Sequence, residues 1–215
     1  MKFLSFLLIL INVNLFAFVH TKEIFENNDT YKINIEYPAT EISWIDEKIT
    51  KFIEKELSDF KKEVKNRERE EIKWKYVLFI AYEKYQVKPF LSFKFTIYEF
   101  LGGAHGMTFI KTFVFDKKGK RTLKLSNIFE EENFLKNIKK EVRKQLLEKI
   151  KGNKEWIIRG TEKLKDFENF VLTKDKIIFF FPPYQVACYA AGIQKAEILY
   201  KKIGRLKLKF IHTQL

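Results

Sequence analysis

Residues 91–98 read Leu91-Ser92-Phe93-Lys94-Phe95-Thr96-Ile97-Tyr98. Large apolar side chains alternate with polar ones at a period of two, the pattern of a β-strand with one buried face. Upstream, Trp74 to Tyr85 is nearly continuous in apolar and aromatic residues, and Val87-Lys88-Pro89 separates the two runs. Two strands this close in sequence predict an antiparallel hairpin. Downstream, Gly102-Gly103-Ala104-His105-Gly106 breaks the alternation and Thr108 to Phe115 resumes it. Asp116-Lys117-Lys118-Gly119-Lys120 then signals a turn, with Arg121 to Leu125 returning as a short strand.

Helices flank this β-rich centre. Tyr31 to Tyr37 alternates as a strand ended by Pro38. Ile42, Ile45, Ile49, Phe52, Ile53, Leu57, Phe60 and Val64 then recur at spacings of three and four, an amphipathic helix. Arg67 to Glu71 reads as its solvated end. On the other side, Asn127 and Glu130 resemble a capping box. Phe134, Leu135, Ile138, Val142, Leu146 and Ile150 mark a second amphipathic helix, ended by Gly152-Asn153. Trp156 to Ile158 and Leu164 suggest a short helical piece. Phe170 to Leu172 and Ile177 to Phe181 form another hairpin, and 196–200 and 206–211 read as terminal strands. The order predicts an α+β fold of two lobes, each an antiparallel sheet packed with one long amphipathic helix. The lobes are expected at residues 22–108 and 109–215.

Met1-Lys2 and the apolar run from Phe3 to Ile11 have the layout of a secretory signal peptide, placed at residues 1–17 and followed by apolar residues to Val19. An uncleaved anchor reaching residue 19 is the alternative. Either reading places the rest outside the cytoplasm: periplasmic, secreted or anchored to the membrane through this segment alone.

Composition narrows the chemistry. The 215 residues include one Cys, three His, eight Gly and four Pro, and carry a net charge of +13. One Cys excludes an internal disulfide and a Cys-based zinc site. Cys188, in Val186-Ala187-Cys188-Tyr189, reads as a small buried residue, without the base a reactive thiol needs. The chain lacks the phosphate-loop, dinucleotide, zinc-protease and hydrolase-elbow motifs. No cofactor, metal ligand or catalytic constellation is therefore expected, and the reading leans away from an enzyme. Export argues against nucleic acid as a partner despite the basic charge, which favours anionic surfaces instead.

Two stretches stand out as candidate ligand-binding loops. In the first, Gly102, Gly103 and Gly106 give the backbone freedom around His105, which either contacts a ligand or locks the loop through a backbone carbonyl. In the second, Phe179 to Gly192 runs from a strand through Pro182-Pro183 into Tyr184 and Tyr189. A binding surface and a closed core edge are both open readings of these tyrosines.

The same stretches carry a family resemblance. Tyr98-Glu99-Phe100-Leu101-Gly102-Gly103-Ala104-His105-Gly106 resembles a hallmark Y-x-x-Y-T-G-G-A-H-G motif, with Phe100 and Leu101 where Tyr and Thr are usual. Phe115 to Lys120, followed by Leu123 to Phe129, resembles F-D-x-x-x-G-K…L-x-D-L-F. Tyr184 to Gly192 resembles Y-E-V-A-P-Y-A-A-G, with Cys188 in place of Pro, and Ile198-Leu199-Tyr200 resembles a following I-P-Y. These motifs belong to a bacterial extracytoplasmic domain pair of unknown general function. It is found in the ectodomains of RsiV-type anti-sigma factors, which sense lysozyme, and in the N-terminal region of PdaC-type peptidoglycan deacetylases. The resemblance spans roughly residues 25–205. It implies a two-lobed α+β fold and a binding or sensing role at the cell envelope.

Neither the deacetylase activity nor the anti-sigma role is carried over. Nothing here matches the separate catalytic domain, and only Met1-Lys2 precedes the apolar stretch. The expected partner is peptidoglycan, another anionic envelope polymer, or an envelope protein. Lysozyme is usually basic, so a basic partner meets it with repulsion. A protein-binding scaffold is the alternative, and an envelope-polymer hydrolase using His105 is the third reading.

Overall fold

A computed structural model describes residues 19–67, 74–130, 133–150 and 154–207. The expected signal segment, the charged run after Arg67, the Gly152-Asn153 stop and most of the expected last strand lie outside them.

Six strands form the first sheet in chain order: β1 (His20–Asn27), β2 (Tyr31–Ala39), β3 (Tyr76–Val87), β4 (Phe90–Phe100), β5 (Met107–Asp116) and β6 (Arg121–Thr122). The hairpin of β3 and β4 pairs Val87 with Phe90 and Val77 with Phe100, as the alternation required. The helix α1 (Ser43–Arg67) lies between β2 and β3. Its 25 residues extend about 37 Å and return the chain to the end where β2 began. As a result β2 and β3 are parallel, and the sheet is mixed rather than wholly antiparallel. Pro38 does not end β2: it lies beyond the last β2–β3 pair, Ile35 with Ile80, and pairs with Thr21 of β1. His20 is the first residue of this edge strand and pairs with Ala39.

The second sheet is β7 (Phe170–Leu172), β8 (Lys176–Phe181) and β9 (Gln194–Leu199), all antiparallel. The helix α2 (Phe134–Lys149) and the short α3 (Lys154–Arg159) pack on one of its faces. Asn127 does not cap α2. It sits in a 3-10 turn, where its side chain accepts the Lys124 N–H at 2.8 Å, and α2 starts at Phe134. The expected boundary at 108/109 lies near the start of β5, and Gly102–Gly106 is the turn of the β4–β5 hairpin.

The result is four layers. Odd residues of β4 and β5, including Leu91, Phe93, Phe95, Ile97, Phe113 and Phe115, pack against Ile45, Ile49, Ile53 and Phe60 of α1. The opposite face meets the second sheet. There Ile110 packs with Val171, Ile178 and Phe180. The other face of the second sheet, including Phe179, Phe181 and Ile198, packs on Ile138, Val142 and Leu146 of α2. β8 is thus buried on both sides, which explains its unbroken apolar run.

The polar residues of β4 are where a sequence reader would place solvent. Instead Ser92 and Lys94 are 1% and 8% exposed, and Thr112 of β5 is 8% exposed. Each meets the second lobe. Phe170 donates its N–H to Thr112 Oγ1 at 3.0 Å, and Leu172 donates to Ser92 Oγ at 3.4 Å. The Lys94 ammonium lies 5.0 Å from the Phe180 ring centroid and is paired with Glu83. These contacts satisfy polar groups that burial alone would penalise.

Candidate functional site

The two loops singled out in the sequence, about 80 residues apart, come together in space. His105 and Tyr189 stack with ring centroids 4.1 Å apart and planes 20° off parallel. Tyr184 leans on Tyr189 at 5.8 Å, and its hydroxyl lies 3.5 Å from His105 Nε2, at the outer limit of a hydrogen bond. Tyr184 is 43% exposed, so the cluster is open to solvent on one side.

Local backbone chemistry places each side chain. Gly102 and Gly103 have φ of +90° and +91°, which a side chain would oppose, and they turn the chain from β4 into β5. Gly106 is buried under Tyr98: a Cβ there would meet that ring at 2.4 Å. His105 Nδ1 donates to the Gly106 carbonyl at 2.8 Å. This fixes the tautomer and leaves Nε2 as the acceptor facing Tyr184 in the uncharged ring. The ring therefore both locks its loop and meets its tyrosine neighbours, Tyr189 across its face and Tyr184 at Nε2. Among the described residues, no carboxylate, Ser or Thr hydroxyl, or thiol is hydrogen-bonded to His105, and no group of three or more His, Cys, Asp or Glu is placed to hold a metal ion.

Tyr184 is itself held in a left-handed conformation, φ +68°. A bulky residue there stores roughly 1–3 kcal/mol of strain and persists only where its surroundings hold it. They do so here. Tyr184 N–H donates to Ala187 O at 2.9 Å, and Trp156 Nε1 donates to Tyr184 O at 2.8 Å. Gln185 Nε2 bridges the carbonyls of Gly160 and Asp166, at 2.9 and 2.8 Å.

The segment that carries Gly160 is pinned in turn to α2. Arg143 donates to Ile158 O, Thr161 O and Thr161 Oγ1, and it and Lys139 ion-pair with Glu162. Hydrogen bonds from Lys139 and then Arg143 hold the Glu162 carboxyl at about 2, below its ordinary 4.5. A carboxyl depressed on folding stabilises the fold above its unfolded pKa, and that contribution fades as pH falls from about 4.5 toward 2. Acid titration of thermal stability is expected to steepen through this window, and Glu162→Gln is expected to flatten it. An unchanged acid limb in the variant would show that the pair carries no pH-linked stability.

Cys188 is exposed, not buried as its apolar neighbours suggested. It precedes a 3-10 turn (Tyr189–Ala191) and has φ −63° and ψ 165°. That φ is the one proline is fixed to, which accounts for the Pro usual at this point of the motif. Cys188→Pro is expected to stabilise by about 0.4–1 kcal/mol by restricting the unfolded chain. A fall in Tm would contradict this.

An aromatic cleft of about 610 Å³ opens beside His105. Its walls include Trp74, Tyr98, Phe100 and His105, with Lys75 at the rim. The sequence reading missed Trp74, Lys75 and Phe100 as site residues. The side-chain alternation of β4 put Tyr98 and Phe100 on one face, but only the turn at Gly102-Gly103 brings His105 over that face. The Lys75 ammonium donates to the neutral Asn27 Oδ1 at 2.9 Å and pairs with no carboxylate among the described residues.

Comparisons with known proteins agree with this architecture. Residues 24–108 match the family described as deacetylase PdaC, and residues 126–201 match DUF3298, a protein family of unknown function. The chain is 29% identical over 174 residues to peptidoglycan-N-acetylmuramic acid deacetylase PdaC of Bacillus subtilis strain 168. That match takes in 79% of this chain and spans 37% of the relative's length. A crystal structure of a DUF3298 family protein from Pseudomonas aeruginosa PAO1 superposes with a TM-score of 0.66 at 16% identity, covering 88% of this chain and 93% of that one. A DUF3298 member from Bacteroides fragilis NCTC 9343 superposes at 0.54 and 20% identity, covering 85% and 91%. These two likenesses establish the shared α+β fold. The two family matches lie in series along the chain, PdaC first and DUF3298 second, which is the pairing that its three sequence motifs resembled.

Proposed function

We propose that the protein is an exported, non-catalytic binding module of the cell envelope, and that the aromatic cleft beside His105 takes a sugar of peptidoglycan or of another anionic envelope polymer. The observation that carries this reading is the convergence of His105, Tyr184 and Tyr189 from two distant loops beside a cleft walled by Trp74, Tyr98 and Phe100. The C–H face of a pyranose is weakly positive and apolar, which suits the negative face of an aromatic ring. Lys75 supplies a cation for an acidic substituent, and the net charge of +13 favours approach to an anionic polymer. Kinship with a peptidoglycan deacetylase supports an envelope-associated domain, and the apolar N-terminal run supports export.

Co-sedimentation with purified peptidoglycan sacculi across a salt series tests the reading. His105→Ala and Tyr189→Ala are each expected to lower the bound fraction roughly tenfold with Tm nearly unchanged, a loss of about 1.4 kcal/mol. Absence of binding at low salt would sink the wall-polymer assignment and favour a protein partner. Release of soluble fragments by the native chain but not by His105→Ala would favour a hydrolase instead.

A further inference from the structure

A second cleft of about 610 Å³ shares no lining residue with the aromatic one. It runs beside the outer edge of β5, between residues 122–126 and 164–170. Lys48, Lys111, Lys124 and Lys165 line it, against one acid, Glu168. None of the four lysines forms an ion pair among the described residues.

The strand edge beside them is unpaired along most of its length, while the side chains of Ile110 and Thr112, 7% and 8% exposed, turn toward the second lobe. β6 covers only the end of β5, pairing at Phe115 and Asp116, with one further bond from Leu123 N–H to Val114 O at 2.7 Å. That bond, with the one from Lys117 N–H to Pro89 O, fixes the parity of the ladder: odd residues of β5 bond to β4 and even residues point outward. The outward N–H and C=O groups of Thr108, Ile110 and Thr112 have no backbone partner among the described residues. An unpaired edge of this length is a template for another strand.

We propose that the β5 edge from Thr108 to Thr112 and its lysine-lined cleft form a docking site for an extended acidic peptide segment, which adds to the six-stranded sheet as a further strand. The edge supplies main-chain hydrogen bonds and the lysines select for carboxylates on the added strand. Charge complementarity decides the occupant. A second copy of this chain would bring the same lysines and a net charge of +13 against them. This site goes beyond the sugar-binding reading and does not depend on it.

The probe is the eight-residue peptide acetyl-(Glu-Thr)4-amide, added to the full chain and followed by calorimetry and by backbone amide hydrogen exchange. Binding is expected to weaken as salt rises from 50 to 500 mM. The amides of Thr108, Ile110 and Thr112 are expected to exchange at least tenfold more slowly in the complex. The double variant Lys124→Glu, Lys165→Glu, altered only at exposed positions, is expected to bind at least tenfold more weakly at unchanged Tm. Absence of peptide binding would overturn the proposal. So would equal binding of the uncharged (Gln-Thr)4 peptide. Binding without amide protection, matched by inorganic tripolyphosphate, would replace strand addition with a simple anion site.

Discussion

Gly160→Ala is expected to destabilise the protein by about 3 kcal/mol, at the upper end of the range for overpacking. A Cβ at this position would lie 1.9 Å from the Gln185 carbonyl oxygen and 2.8 Å from its carbon. Both belong to backbone, so no side-chain rotation relieves the contact. The displaced segment is the one that holds Tyr184 at φ +68° and sets it beside His105. For a chain of this size the loss corresponds to a Tm lower by roughly 6–12 °C. Thermal unfolding measures the first effect, and sacculus binding the second, which is expected to fall in the folded variant as well. Gly103→Ala is the control. Nothing lies within 4 Å of a Cβ there, so only the cost of φ +91° applies, about 1 kcal/mol. Equal Tm values for the two variants would refute the close approach of the 160 and 185 backbones.

Phe115→Ala is expected to cost about 3–5 kcal/mol, the range for emptying an aromatic site in a packed core. Phe115 is fully buried, with Trp44 of α1 at 5.4 Å, Phe113 at 5.9 Å and Phe93 at 6.3 Å between ring centroids. The consequence reaches past the first lobe. Val114, the preceding residue, belongs to the core that contains α2 and the second sheet. β5 therefore supplies both cores, one from each face, and the two lobes are expected to unfold as one cooperative unit. Native-state amide exchange gives the readout. Exchange in β8 should accelerate in the variant along with exchange in β2. Faster exchange in β2 with β8 unmoved would mean that the lobes unfold independently.

The same coupling bears on the candidate site. Tyr98 and His105 belong to the first sheet and its hairpin turn, while Tyr184 and Tyr189 belong to the loop that follows β8. The stacked pair closes only when the lobes are docked. The buried Ser92, Lys94 and Thr112 contacts hold that docking in register through directed polar bonds, where apolar packing alone would allow sliding.

Periodicity by itself determined the local elements. The spacing of Ile45, Ile49, Ile53 and Phe60 made a helix, and the alternation from Leu91 to Tyr98 made a strand, because each pattern places its apolar groups on one face of only one backbone geometry. The three motifs likewise pointed to the two families that the chain matches, and with the order of elements to the two-lobed α+β class. Tertiary structure alone decided what the polar face of β4 meets. Ser92 and Lys94 read as solvent-facing, since alternation reports that two faces differ and not what covers the second one. It also decided that β2 and β3 run parallel, because the direction of a crossover depends on where a helix docks. Finally, it decided that His105 stacks on Tyr189. A contact across about 80 residues leaves no periodic trace, and it forms only when burial of two separate cores brings the loops that carry those rings to the same place.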